Sequence, residues 1–183
     1  MRNTTKGKLI ALELVPEGDG HSALDVGCRE GTQSRWLERH GYHVASIDIE
    51  KHYENALIAD VNDGLPFADA SYDLVWCSEV IEHLQSPEQF VAECERVLKP
   101  GGKLILTTPN SAFWLYPLAR LFGKTPRDLQ HDGHLHFFSL RDIRQLFPAA
   151  HIYGFFPYAI FRFRITRAIG LLSPTFVIEM ERP

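Results

Sequence analysis

The sequence predicts an α/β protein in which a parallel sheet carries helices on both faces. Three observations predict this fold class. Short apolar runs alternate with amphipathic segments, the first run ends in a polar turn punctuated by Gly27 and Gly31, and a Pro-Gly-Gly triplet at 100–102 separates a helical stretch from the next run. Such alternation is typical of parallel sheets with helical crossovers. The length of 183 residues suits one domain, residues 1–183, with one sizeable core.

Each element follows from a local signal. The predicted strands are 22–26, 42–49, 57–59, 73–77, 103–108, 151–156 and 175–181. The predicted helices are 5–15, 31–40, one or two helices within 79–98, and 140–147. Gly41 and the Pro-Gly-Gly triplet stop two of these helices, and Ser139 is suited to cap the last one. Because no clear helix separates 156 from 175, we expect the last two strands to form an antiparallel hairpin at the sheet edge.

Composition excludes several classes of protein. Hydrophobic residues make up 45% and charged residues 23% of the chain, which is ordinary for a globular domain. The net charge of −4 argues against a general nucleic-acid-binding surface. The three cysteines have no metal-ligand spacing, so we expect reduced thiols and a cytoplasmic location. We expect no signal peptide and no transmembrane segment, since no apolar leader follows Met1 and no run of about 18 apolar residues exists.

The stretch from Ala23 to Leu37 carries the first functional signal. Gly27 and Gly31 lack Cβ atoms where a ligand would approach the backbone, and the amides of the turn offer donors to a polar or anionic group. The dinucleotide fingerprint G-x-G-x-x-G does not fit, because Arg29 and Thr32 stand where it needs glycines. A nicotinamide-dependent dehydrogenase is therefore disfavoured.

The same stretch resembles motif I of the class I S-adenosylmethionine (SAM) methyltransferases, D-x-G-x-G-x-G, with Arg29 at the middle glycine. Residues 60–84, DVNDGLPFADASYDLVWCSEVIEHL, resemble the family signature D-x-x-x-LPF-x-x-x-x-FD, with Tyr72 in place of Phe. Residues 98–110, LKPGGKLILTTPN, resemble the family's fifth-strand motif. The resemblance covers about residues 20–181. It implies a Rossmann-like seven-stranded sheet in the order 3-2-1-4-5-7-6, with strand 7 antiparallel.

The resemblance also implies SAM as the cofactor. An acidic residue about 20 positions beyond a glycine turn, here Asp48, can accept hydrogen bonds from both ribose hydroxyls, as in the family. Ile49 could pack on the adenine face. In the family, the residue like Asp60 takes the adenine amino group, and the next backbone amide, here that of Val61, meets the ring. Arg29 would either pair with the SAM carboxylate or point to water. The implied SAM-binding residues are Asp25, Gly27, Cys28, Gly31, Asp48, Ile49, Asp60, Val61 and Cys77.

Glu79, Glu82 and His83 are spaced i, i+3 and i+4, so a helix would place them on one face. Three interpretations remain open. In the first, His83 is a general base for a hydroxyl or amine acceptor. In the second, all three bind a divalent metal (Mg, Mn or Zn) with a distal histidine, as the resemblance to the metal-dependent O-methyltransferases of ubiquinone synthesis and of small-RNA 3′ ends implies. In the third, His83 only bonds the backbone. The candidate distal histidines are His131, His134 and His136, of which His134 best matches the relatives' pattern.

Two further segments bear on the acceptor. Residues 111–138 are rich in aromatics and are expected to form a lid that sets acceptor specificity, with Asn110 at the rim of the site where it could touch substrate. Residues 154–172 interleave aromatics with Arg162, Arg164 and Arg167. They could rest on a membrane surface or hold an anionic lipid-linked substrate. A core-facing edge with snorkelling arginines is the favoured alternative.

The sequence thus predicts a SAM-dependent methyltransferase. Its acceptor would be an oxygen or nitrogen of a small molecule, which could be lipid- or glycan-linked. Methyl transfer from a sulfonium depends mainly on positioning donor and acceptor, and the sequence holds no nucleophile motif. The alternative is a regulatory or assembly protein that binds SAM without catalysis.

Overall fold

The computed structural model describes residues 6–123, 133–156 and 163–183. Its strands are β1 (Ser22–Val26), β2 (His43–Asp48), β3 (Ala56–Ile58), β4 (Tyr72–Ser78), β5 (Leu98–Pro109), β6 (His151–Phe156), β7 (Phe163–Ile165) and β8 (Thr175–Glu181). Within the described ranges they form one eight-stranded sheet in the order β3-β2-β1-β4-β5-β8-β6-β7. The first five strands in the chain pair in parallel, whereas β8 runs antiparallel to β5 and β6.

The predicted Rossmann-like sheet is confirmed, with one correction to its strand count. The antiparallel seventh strand of the prediction is β8, which lies between β5 and β6 as expected. The short β7 pairs antiparallel with β6 and adds an eighth strand at the edge. A three-residue strand has no alternation long enough to detect in a sequence, so its position depends on pairing with β6.

The described α-helices are α1 (Lys6–Leu12), α2 (Thr32–Arg39), α3 (Pro87–Val97), α4 (Leu115–Arg120), α5 (Leu140–Leu146) and α6 (Ile169–Leu172). Short 3-10 turns cover Val61–Asp63 and Ile81–His83. Ser139 caps α5 as predicted, through a reciprocal capping box with Asp142. Among the helices of the described part of the chain, none has the length and apolar character needed to cross a bilayer.

The hydrophobic core lies on both faces of the sheet. In β4, Leu74 and Trp76 join the cluster under α1 and α2, whereas Val75 and Cys77 join the larger cluster under α3 and α5. Successive side chains of a strand point to opposite faces, so a strand covered on both sides reads as one continuous apolar run. The strand sequence DLVWC has this form. The sheet is therefore buried on both faces, and its ligand-binding surface must lie at a strand edge or end.

Arg96 of α3 holds the segment that leads from β3 to β4. Its guanidinium donates to the carbonyls of Leu65 (2.8 Å) and Phe67 (2.9 Å) and to the carboxylates of Glu93 and Asp69. The Leu65 N–H donates in turn to Glu93. The hydrogen bond from Arg96 is the main cause that lowers the pKa of Glu93 to about 2. The LPF signature is thus fixed against α3 by a charged clamp.

Candidate functional site

The glycine turn lies at the carboxyl end of β1. Gly27 and Gly31 adopt φ of +72° and +69°, a region that favours glycine. A Cβ at Gly27 would overlap the Val80 side chain, and a Cβ at Gly31 would lie 2.6 Å from the Tyr53 ring. The two glycines are therefore required by backbone conformation and by these protein neighbours, a reason that the sequence pattern did not reveal.

Asp48 is fixed beside the glycine turn at the end of β2. Its Oδ2 accepts from the N–H of Arg29 at 2.8 Å, and its Oδ1 accepts from the N–H of Glu50 at 3.1 Å. Each carboxylate oxygen can accept a further hydrogen bond. The next side chain, Ile49, is 64% exposed and offers an apolar surface directly beside this acceptor. Arg29 contributes its backbone N–H here, and its side chain is exposed.

Asp60 and Val61 lie at the carboxyl end of β3, next along the same edge. Asp60 Oδ1 accepts from the backbone N–H and the side-chain amide of Asn62, both at 2.9 Å, and so caps the Val61–Asp63 turn. Asn62 Oδ1 in turn accepts from the Gln85 N–H at 2.8 Å. A small cavity of about 70 Å³ opens between Val61 and Leu84. The structure thus brings Asp48, Ile49, Asp60 and Val61 to one edge of the sheet.

Asp25 and the cysteines of the site lie beneath this surface. The Ser34 hydroxyl donates to Asp25 Oδ2 at 2.6 Å, and burial is the main cause that raises the pKa of Asp25 to about 6. Cys28 and Cys77 are 2% and 0% exposed, and burial raises the pKa of the Cys28 thiol to about 12 and that of Cys77 as well. Both thiols are therefore protonated and unreactive at neutral pH.

The expected helix over residues 79–83 is wrong. Glu79 has φ of +61°, and only Ile81–His83 forms a turn, of the 3-10 type. Thr107 donates to Glu79 Oε1 at 3.1 Å and Thr108 donates to Glu82 Oε2 at 3.0 Å. Because consecutive residues of β5 point to opposite faces of the sheet, these two bonds draw the carboxylates to opposite sides. A helix would have kept them on one face.

Glu82, His83 and His134 converge. One ligand atom from each lies within 4.8 Å of the other two. His134 Nε2 is 3.9 Å from Glu82 Oε1, and within the described residues Oε1 is buried with no hydrogen-bond partner. Burial, with a smaller contribution from the Glu79 charge, raises the pKa of Glu82. Such a group needs either a proton or a cation, so the cluster has the donor set of a metal site.

Glu79, the fourth predicted ligand, lies outside this cluster because Thr107 holds its carboxylate on the other face. His83 Nδ1 must donate to the Gly133 carbonyl, 2.8 Å away, since a carbonyl only accepts. The lone pair of the neutral ring is then on Nε2. This bond orients the imidazole in the way that metal ligands and general bases are oriented.

A short segment, residues 133–136, brings His134 to the cluster. The N–H groups of Leu135 and His136 both donate to the Glu82 carbonyl, at 2.9 and 3.0 Å. His136 Nε2 donates to the Leu84 carbonyl at 2.9 Å, so His136 fixes the segment and is not one of the converging ligands. The third candidate, His131, lies outside the described residues, as do residues 124–132 of the expected lid.

Asn110 does not face a substrate. Its side chain is fully buried, and its amide donates to the carbonyls of Gly170 (2.9 Å) and Ser173 (2.6 Å). Its Oδ1 accepts from the Ala112 N–H at 2.9 Å. Through these hydrogen bonds, the Asn110 side chain connects the end of β5 to the segment around α6. The expectation that Asn110 touches substrate is therefore corrected.

The hairpin within residues 154–172 has both buried and exposed aromatic side chains. Phe155 is buried against the core, whereas Phe163 is 60% exposed. The Arg164 guanidinium lies 5.0 Å from the centre of the Tyr153 ring, in line with the snorkelling alternative. Arg162 lies outside the described residues. The described part thus packs one side of the hairpin and leaves the other exposed.

Lys8 of α1 is a cation whose charge acts on acids near the site, and the sequence analysis did not single it out. Burial raises the pKa of the carboxyl groups of Asp25, Glu79 and Glu82, and the Lys8 charge offsets part of this rise. No motif surrounds it, and the one usable signal was the preceding Gly7, a small residue that allows a helix to pack closely.

Comparisons with known proteins find methyltransferases. Residues 24–106 match the sequence model of a family described as "Methyltransferase domain". A ubiquinone biosynthesis O-methyltransferase of Xylella fastidiosa is 33% identical over 114 residues, which cover 55% of this chain and 46% of the relative. A protein of the same name from Coxiella burnetii is 31% identical over 110 residues, covering 53% of this chain and 47% of the relative. The chain thus spans about half the length of the curated relatives it matches.

Solved structures share the whole architecture. A SAM-dependent methyltransferase from Mesorhizobium loti has a TM-score of 0.73 at 15% identity, covering 98% of this chain and 99% of the other. A SAM-dependent methyltransferase from Archaeoglobus fulgidus has a TM-score of 0.70 at 15% identity, covering 96% and 94%. At these identities the likeness concerns the fold.

Proposed function

We propose that this chain transfers a methyl group from SAM to an oxygen of a small molecule, because residues 24–106 match the sequence model of a methyltransferase domain and the fold is that of solved SAM-dependent methyltransferases. The observation that carries the proposal is the Asp48 carboxylate. It accepts from the N–H of Arg29 in the glycine turn and from the N–H of Glu50, with exposed Ile49 beside it. This arrangement suits a ribose diol with an adenine stacked next to it.

The remaining predicted cofactor residues would act as follows. Asp60 and Val61 would meet the edge of the adenine, next to the small cavity at Leu84. The buried residues Asp25, Cys28 and Cys77 would shape the floor, with only backbone atoms of the cysteines able to reach a ligand. The whole chain would act as one domain, and residues 111–138 would form the wall nearest the acceptor.

We further propose a divalent cation held by Glu82, His83 and His134. Glu82 Oε1 fits this role because it is buried and no hydrogen-bond partner for it exists in the described part of the chain. Two imidazoles and one carboxylate favour Mn²⁺ or Zn²⁺ over Mg²⁺. The cation would lower the pKa of an acceptor hydroxyl and orient it. If no cation binds, His83 Nε2 remains as a general base for the same proton.

The acceptor is proposed to be an apolar molecule that carries a hydroxyl group. Trp114, Leu115 and Leu118, which follow the end of β5, are each more than 40% exposed and would suit an apolar group better than a glycan. The two curated relatives described above are named for O-methylation in ubiquinone biosynthesis. A lipid-linked phenol would fit both observations, with a nitrogen acceptor as the less favoured case.

The test is transfer of radiolabel from [methyl-³H]SAM to a panel of phenols, catechols, prenylated phenols and amines, with and without EDTA. Labelling of a hydroxylated apolar acceptor supports the proposal, and loss of labelling with EDTA, restored by Mn²⁺ or Zn²⁺, supports the metal. Binding of SAM by calorimetry without transfer to any acceptor would favour the regulatory or assembly alternative. Absence of SAM binding would overturn the proposal.

A further inference from the structure

We propose that His136 is a positioning residue, which holds His134 in place to bind a cation and is not itself a ligand. The inference rests on the proposed cation site of Glu82, His83 and His134, and it names a residue outside that site on which metal affinity depends. His134 and His136 belong to the segment 133–136, and none of its four residues lies in a helix or strand. The position of His134 therefore depends on the bonds that its neighbours make.

Three hydrogen bonds connect Leu135 and His136 to the chain around Glu82. The N–H groups of Leu135 and His136 donate to the Glu82 carbonyl at 2.9 and 3.0 Å. His136 Nε2 donates to the Leu84 carbonyl at 2.9 Å. Because Glu82 also supplies the carboxylate of the cation site, these bonds fix the distance between that carboxylate and His134.

The His136 ring is oriented for this role and against ligation. It stacks on the Phe138 ring, with 5.5 Å between the ring centres and 13° between the planes, and Phe138 is buried. Its Nε2 must carry the proton, because the Leu84 carbonyl only accepts. This nitrogen therefore has no lone pair for a cation, which agrees with the place of His136 outside the converging ligand atoms.

The exposure of the neighbouring residues shows what these bonds achieve. Leu135 is 59% exposed, whereas the His134 side chain is 7% exposed and its Nε2 lies 3.9 Å from Glu82 Oε1. Burial of apolar surface alone would favour the reverse arrangement, with the leucine inside. The hydrogen bonds of the segment therefore keep the imidazole of His134 at the cluster. Residues that orient metal ligands without binding the metal commonly change metal affinity by about 10- to 100-fold.

His136 is also the anchor that can be tested without changing a ligand. The other side-chain bond to the segment runs from His83 Nδ1 to the Gly133 carbonyl at 2.8 Å. His83 is itself a proposed ligand, so its replacement would change the ligand set and the anchor together. Replacement of His136 changes the anchor alone.

The test measures binding of Co²⁺ to the purified protein by titration calorimetry and by visible absorption, which reports the number and geometry of the ligands. His136→Leu should weaken Co²⁺ binding by about tenfold or more. His136→Gln should keep most of the affinity, because its amide Nε2 can donate to the Leu84 carbonyl as the ring nitrogen does. His43→Leu, an exposed histidine at the start of β2, is the matched control and should bind like the unmodified protein.

A double variant separates positioning from a general structural role. If His136 acts through His134, adding His136→Leu to His134→Ala should cost no further affinity. The Co²⁺ spectrum of His136→Leu should then match that of His134→Ala. Additive losses would mark a structural effect and overturn the inference. A loss in His136→Gln equal to that in His136→Leu overturns it as well, as does unchanged affinity in His136→Leu.

Two further outcomes separate this inference from the proposed function. An unmodified protein that binds no Co²⁺, or that binds it as tightly after Glu82→Gln, removes the cation site and the role of His136 together. Calorimetry with SAM decides the methyltransferase function independently of the metal. Circular dichroism checks the fold of each variant, and His136→Phe, which keeps a ring against Phe138, replaces His136→Leu if the latter does not fold.

Discussion

Asp25 is a buried carboxylate whose ionisation opposes folding. Burial raises its pKa from 3.8 to about 6, so the folded protein holds this proton more tightly than the unfolded chain does. The resulting stability is fully present below about pH 4 and is lost as the pH rises through 6. The loss amounts to about 3 kcal/mol at most, at 1.36 kcal/mol per pKa unit.

Asp25→Asn should remove this loss, because an amide oxygen still accepts from Ser34 but never ionises. The measurement is the free energy of unfolding in urea at pH 4.5 and at pH 7. We expect the difference between the two pH values to shrink in the variant by about 2 kcal/mol, because about a third of the full loss is already present at pH 4.5. Asp63→Asn, at an exposed position, should leave the difference unchanged. Parallel profiles for the variant and the unmodified protein would contradict the role given to Asp25.

The proposed metal site depends on a single residue, Glu82, which supplies its one carboxylate. Glu82→Gln keeps the size of the side chain but supplies no charge, so binding of Mn²⁺ or Zn²⁺ to the purified protein should fall by at least about tenfold. Titration calorimetry with each metal salt measures this directly. Glu88→Gln, an exposed change on α3, is the control and should leave the affinity unaltered. Equal metal affinity in both variants would show that the cation, if any, binds elsewhere.

At the scale of elements, α3 and the segment from residue 64 to residue 69 are joined through Arg96. Arg96→Met removes the donors to the carbonyls of Leu65 and Phe67 and the charged partner of Glu93, which keeps its hydrogen bond from the Leu65 N–H. Because the side chain is 31% exposed, the expected loss is about 1–2 kcal/mol of unfolding free energy. Arg144→Met on α5 is an exposed control. An unchanged urea midpoint for Arg96→Met would rule out the clamp.

The same clamp has a pH dependence of the opposite sign to Asp25. The folded pKa of Glu93 is lowered to about 2, so its contribution to stability is present above about pH 4.5 and is lost as the pH falls toward 2. In Arg96→Met this acid-side loss should be smaller than in the unmodified protein, which the same urea titrations between pH 5 and 3 would detect.

The elements that could be predicted are those with a local signal. Strands with long apolar runs, the Ser139 cap and the stop before residue 100 are encoded by neighbouring residues, and all three were found. The helix expected over 79–83 failed because Thr107 and Thr108 pull Glu79 and Glu82 to opposite faces. Likewise α6 has only four residues, and its position depends on packing against Gly154 and on bonds to Asn110.

At the scale of the whole molecule, the parallel arrangement of the strands brings the candidate site residues together. Carboxyl ends of parallel strands meet at one edge, so acids that follow predicted strands, such as Asp48 and Asp60, could be assigned to it from the sequence. The position of Lys8 relative to these acids could not be predicted, because it depends on how α1 packs on β8 and β5. The approach of His134 to Glu82 was suggested by the family resemblance, but the backbone bonds that hold residues 133–136 there have no sequence signal.

Because residues from several strands would contact one ligand, the free energy of unfolding of the whole domain should increase when that ligand binds. A ligand that binds only the folded state at about a hundred times its dissociation constant adds about 2.7 kcal/mol. For a protein of this size that corresponds to a rise in melting temperature of about 5–10 °C. We expect S-adenosylhomocysteine, which shares the nucleoside and the amino acid of SAM, to produce it in a thermal-shift measurement.

Asp48→Ala should lose most of this rise, because it removes the carboxylate that accepts from the backbone N–H groups of Arg29 and Glu50 and that we propose binds the ribose. Glu54→Ala, an exposed acid a few residues further along, should keep it. Measurement without ligand separates a change in binding from a change in intrinsic stability, since only the difference with and without S-adenosylhomocysteine reports on the site. An equal rise in both variants would mean that the sugar is not held by Asp48, whereas no rise in the unmodified protein would mean that this edge binds no such nucleoside.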